Sequence, residues 1–119
     1  MQFTTFVAAL SSLSLIAAAP AASVGPNQQS CKATDFLSNV SYGLTIGVSF
    51  PGTATCNNIK NQLSSGINDQ NFGNFFCTQG SASGTTSISF QSTHNKASVI
   101  NSVLGNNFPS VNGFNCPNF

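Results

Sequence analysis

Charge is almost missing from this chain. Lys32, Lys60 and Lys96 stand against Asp35 and Asp69, for a net charge of +1 over 119 residues. That leaves no basic footprint for nucleic acid or an anionic membrane surface. Glycoside hydrolysis needs two carboxyl groups facing one sugar bond, which here would consume every acid in the protein. His94 is the only histidine. The serines around it lack the G-x-S-x-G setting of a hydrolase nucleophile, because Ala82 occupies the middle of Gly80-Ser81-Ala82-Ser83-Gly84. That glycine stretch is not followed by Gly-Lys-Ser or Gly-Lys-Thr, so it reads as a polar hairpin loop and not as a phosphate cradle. No C-x-x-C pair is present, which disfavours zinc and thiol-redox readings. The inventory predicts a non-enzymatic protein with no cofactor, no metal and no nucleic-acid partner.

What is there starts with an apolar N-terminus. Phe6 to Ala19 is apolar or small and interrupted by Ser11, Ser12 and Ser14. It is too short and broken to span a membrane and reads as an export signal over residues 1–18, cut between Ala18 and Ala19. Cleavage leaves about 100 residues, enough for one small domain. Without a second apolar run, the mature chain is expected to be secreted and monomeric, with no stable membrane insertion. Residues 19–30 are small, polar and proline-containing and read as a disordered leader, with a single domain over 31–119. The four cysteines, Cys31, Cys56, Cys77 and Cys116, all fall in that domain. An even count in a short exported chain implies two disulfides, with three possible pairings.

Strict alternation over residues 42–50 gives the clearest element. Tyr42, Leu44, Ile46, Val48 and Phe50 are large and apolar, separated by Ser41, Gly43, Thr45, Gly47 and Ser49. This is a strand with one buried face. Pro51-Gly52 turns the chain, and Thr53 or Thr55 can cap a helix carrying Cys56, Ile59, Leu63 and Ile67 on one face. Gly66 is expected to weaken or end it. Residues 74–77 and 86–90 read as a hairpin around the glycine loop. A second helix, capped by Asn95 or Thr93, carries Ala97, Ile100 and Leu104 and stops at Gly105. Residues 111–114 form the last strand candidate.

The resulting order, β-α-β-β-α-β, predicts an α+β fold of the ferredoxin-like split βαβ kind: a four-stranded antiparallel sheet with two helices on one face. Its spatial order, 4-1-3-2, makes 42–50 a central strand. In this layout the first strand begins, and the last ends, at one end of the sheet. That predicts Cys31–Cys116 there and Cys56–Cys77 at the other end. Closing most of the mature chain with the first bond contributes on the order of 4–5 kcal/mol in the chain-entropy model.

Phe72, Phe75 and Phe76 form the densest aromatic cluster. Period two lets only one of Phe75 and Phe76 face the core, and their strand lies at a sheet edge. An exposed phenylalanine there is a candidate interaction site, and burial of both beneath helices or tail is the plainer alternative. Asn39-Val40-Ser41 is the one N-glycosylation sequon, which makes Asn39 a candidate modification site.

The export signal, the size, the two disulfides and the element order resemble the KP6 killer-toxin-like group of small secreted fungal proteins, which includes effectors of plant-associated fungi. The resemblance covers Cys31 to Cys116 and is one of architecture, so no functional residues carry over. The chain lacks a dibasic processing site and has fewer cysteines than the killer toxin. The resemblance implies a secreted effector or elicitor that binds a host or competitor protein or glycan. The alternatives are a killer-type antimicrobial toxin and a structural protein of the cell wall.

Overall fold

A computed structural model describes residues 24–119. The expected export signal, its cleavage point and the first part of the leader lie outside the described residues. Six elements follow in order: β1 (Gln29–Asp35), β2 (Val40–Ile46), α1 (Thr53–Ile67), β3 (Gly73–Gln79), β4 (Thr86–Ser92) and α2 (Ala97–Asn107). The strands form one antiparallel sheet in the order β1-β2-β4-β3. Class, strand number, helix number and both disulfides are as the sequence predicts.

The element order is not. Residues 111–114 are not a strand, and the place beside β2 belongs to β1. The frame is still that of a split βαβ sheet, with its outer strand supplied from the N-terminal side. The reason is local. Phe36 N–H donates to Asn39 O at 2.8 Å, closing a short loop that delivers β1 straight onto β2. Gly113 instead takes φ +88°, and Gly113 N–H bonds back to Val111 O, so that segment coils on itself. The faint apolar pattern of β1 matches its position. Only Cys31 and Ala33 face inward as apolar groups, and an edge strand buries little. Gln29 and Ser30, expected in the leader, belong to this strand, and Asn27 and Gln28 continue the pairing through backbone bonds to Gly47.

The strand expected at 42–50 runs from Val40 to Ile46. Val40, Tyr42, Leu44 and Ile46 face the core, opposite Thr86, Ile88, Phe90 and Ser92 of β4. It stops where Gly47 meets the incoming chain: a Cβ there would lie 2.0 Å from Gly25 O. Beyond this crossing Val48 is only partly buried, and Phe50 turns outward.

Both helices bury the stripes predicted for them, Cys56, Ile59, Leu63 and Ile67 on α1 and Ala97, Ile100 and Leu104 on α2. Their ends differ from expectation. Gly52, with φ +100°, precedes α1 and no side chain caps it. Gly66 does not stop α1. A Cβ there would come within 2.6 Å of Val99 Cγ1, so its bareness lets the helices approach. The α1 stop is Asn68, in the left-handed conformation. The first turn of α2 is capped from the far end of the chain, with Ala97 N–H donating to Asn118 Oδ1 at 3.3 Å. α2 then passes Gly105 and ends at Asn107. All four non-glycine residues with positive φ among those described are asparagines, Asn27, Asn68, Asn74 and Asn95. The asparagine content thus supplies left-handed turns as well as polarity.

The tail after α2 forms a third covering piece over the inner face. Val111, Phe114 and Cys116 are buried, and Phe114 packs on Phe108 with ring centroids 6.2 Å apart. Tyr42 Oη donates to Pro117 O at 2.8 Å, Asn95 N–H to Phe119 O, and Gln29 Nε2 to Asn115 Oδ1. The Cys31–Cys116 bond clamps this segment over β1. Burial pushes the Tyr42 phenol above its ordinary value of 10.0.

Candidate interaction site

The two phenylalanines of β3 part company at a bulge. Gly73 stands opposite Gln91 and Phe76 opposite Ser89, so β3 carries one extra residue between these rungs. Asn74 absorbs it at φ +50°. The slip reverses every later side chain. Phe75 turns inward and stacks near Phe90, with centroids 6.5 Å apart. Cys77 faces inward too, opposite Ile88, where it bonds to Cys56 of α1. Phe76 points outward and is 63% exposed. Without the bulge Cys77 would face solvent and the helix would have no partner on the sheet.

Phe76 therefore sits at the rim of two surfaces. On one side lies a groove of about 290 Å³ between α1 and β3, lined by Phe50, Thr53, Asn57, Lys60, Phe76 and Thr78 above the Cys56–Cys77 bond. Phe50 is itself 37% exposed and Phe75 also lines the groove, so three aromatic rings border it and Lys60 is its one charged group. On the other side lies the open face of the sheet. One rung crosses it as Lys32, Gly43, Ser89 and Phe76, long at the ends and small in the middle. The strand bearing Phe76 pairs only with β4, which leaves the outer row of β3 backbone groups without a neighbouring strand among the described residues.

The acid and imidazole groups are elsewhere. Asp35 Oδ1 and His94 Nε2 lie 2.7 Å apart and join the end of β1 to the turn before α2, with the imidazole half-buried. Asp69 Oδ1 accepts the Asn71 N–H at 2.8 Å in a local turn. Asp35 thus ties two elements together, and Asp69 holds its own turn. Asn39 is half-buried at the β1–β2 turn, where Phe36 and Leu37 project into solvent.

Phe50 and Lys60 carry no sequence signal that places them at this groove. Phe50 continued an alternation that the Gly47 crossing cuts short, and Lys60 looked like one polar helix residue among many. The separation of Phe75 from Phe76 did have a signal: once Cys77 must reach the helix, Phe75 shares its parity and Phe76 does not. No family model, no curated protein and no solved structure matches this chain.

Proposed function

We propose that this chain is a secreted, non-enzymatic binding protein of the effector type, which holds a target protein outside the producing cell through the β3 edge. The observation that carries this reading is Phe76, 63% exposed on a bulged edge strand beside Phe50 and the α1–β3 groove. An isolated ring that exposed contributes little to folding, whereas an aromatic anchor beside a groove is the usual core of a binding hot spot. The unpaired backbone of β3 adds a second means of attachment, since an extended target segment can join the sheet as a further strand. Lys60 favours an acidic residue on that segment. Two disulfides, and the lack of any helix among the described residues long and apolar enough to cross a membrane, fit a protein working outside the cell.

The test is capture of a target from extracellular fluid or target-cell surfaces by the mature, oxidised protein, followed by affinity measurement with Phe50→Ala and Phe76→Ala. Loss of about thirtyfold for Phe76→Ala is expected, the size of a ~2 kcal/mol hot-spot truncation. Unchanged affinity for both variants would remove the edge as the site. Growth inhibition of yeasts or bacteria without any captured partner would favour the toxin reading instead.

A further inference from the structure

We propose that Asn39 carries an N-linked glycan and that this glycan lies over the open face of the sheet; the proposal rests on the export reading above. The sequon Asn39-Val40-Ser41 straddles the start of β2. Val40 is fully buried toward the helices, so its neighbours Asn39 and Ser41 fall on the opposite, uncovered side. The turn is closed by the Asn39 carbonyl, which accepts from Phe36 N–H, and this leaves the side-chain amide out of the turn's hydrogen bond.

The surface beyond it suits a sugar chain. The central strands present Ser41, Gly43 and Thr45 beside Gln91, Ser89 and Ser87, a run of hydroxyl and amide groups with no charge among them. Gly43 leaves its middle low, and a Cβ added there would meet nothing within 4 Å. Asn39 to Gly43 is about 14 Å along an antiparallel strand, a span that the core of an N-glycan covers. Helices and tail cover only the other face. In the attachment step the Asn39 Nδ2 displaces pyrophosphate from the anomeric carbon of a lipid-pyrophosphate-linked oligosaccharide. The Nδ2–C1 bond forms, the C1–O bond breaks, one proton leaves Nδ2, and the lipid pyrophosphate departs. Phe76 stands at the far margin of this face, so the glycan shields the centre and leaves the β3 edge open.

The experiment uses the full chain secreted from a eukaryotic host, with intact mass measured before and after peptide N-glycosidase. One glycan is expected on the wild type and on Ser41→Thr, and none on Asn39→Gln or Ser41→Ala. Lysine acylation then tests the cover. Lys32 lies on the open face, opposite Gly43, and Lys60 lies on α1. Severalfold slower acylation of Lys32 in the glycosylated protein than in Asn39→Gln, with Lys60 unchanged, is the expected result. Secreted protein with its export signal removed but Asn39 bare would overturn the proposal while leaving export standing. Protein retained in the cell with residues 1–18 intact would overturn export as well. A glycan with equal Lys32 rates would overturn the cover.

Discussion

The two edges of the sheet have been treated in opposite ways. The β1 edge is drawn into the structure: Cys31 is bonded to Cys116, Gln29 holds Asn115, Asp35 holds His94, and the tail lies across its inner face. The β3 edge has one covalent link, Cys56–Cys77, and one inward ring, Phe75, and beyond these it carries a bulge, an outward phenylalanine and a groove. One edge closes the core where no helix reaches. The other is held rigid from behind and left open in front, which is the arrangement an interaction surface needs, because a preorganised edge loses little freedom on binding.

The largest test of this contrast removes the clamps. Replacing Cys31 and Cys116 together by serine opens a loop with a sequence separation of 85, and replacing Cys56 and Cys77 opens one of 21. The chain-entropy model assigns roughly 4–5 kcal/mol to the first and roughly 3 kcal/mol to the second. Urea unfolding of the two variants should show the first as the more damaging, with the tail newly sensitive to protease. The reverse order would mean that hydrogen bonds hold the tail and that the β1 edge is not clamped as described.

The next test separates the paired phenylalanines. Phe75→Ala should cost about 2–3 kcal/mol, as a partly buried ring leaves a cavity against Phe72 and Phe90. Phe76→Ala should stay within about 0.5 kcal/mol, since its ring is mostly in water. Equal losses would show that Phe76 is part of the core and would end its candidacy as an anchor.

The smallest effect probes the closed edge through Tyr42. Losing its hydrogen bond to Pro117 in Tyr42→Phe should cost about 1 kcal/mol at neutral pH. The phenol has a folded pKa raised above 10.0 by burial. Above the unfolded value the unfolded chain gives up the proton first, so stability falls as pH rises from there through the folded value. Denaturation between neutral and strongly alkaline pH should show this fall in the wild type and a shallower one in Tyr42→Phe. Identical slopes would mean that the phenol is not held in a dry site by the tail.

Much of this fold was legible because hydrophobic periodicity reports directly on burial. The stripes Cys56-Ile59-Leu63-Ile67 and Ala97-Ile100-Leu104 needed only a count of residues per turn. The disulfide pairing follows from the sheet order although residues 111–114 are not a strand, because Cys116 ends beside the same edge whether or not they are extended. The candidate site was less legible. Phe75 and Phe76 are chemically identical, and the left-handed Asn74 that sets which one faces inward is one asparagine among many. Helix ends were less legible for a related reason: the cap of α2 comes from Asn118, a neighbour in space that no local window contains.

Taken alone, the amino-acid sequence determined the α+β class, the two helical faces and the inward side of β2. These follow from composition and from periods of two and 3.6 residues, which are properties of short stretches. Only the tertiary structure decided which segment became the second edge, where the Tyr42 strand stopped and that a bulge at Asn74 turns Phe75 and Cys77 to the inner side. The first rests on the short Phe36–Asn39 loop that lays β1 on β2, and the other two on long-range contacts: the Gly25 carbonyl pressing on Gly47 and the Cys56–Cys77 bond that demands the bulge at Asn74. The energy of such contacts exists only once distant residues have been brought together, so no local stretch of the chain records it.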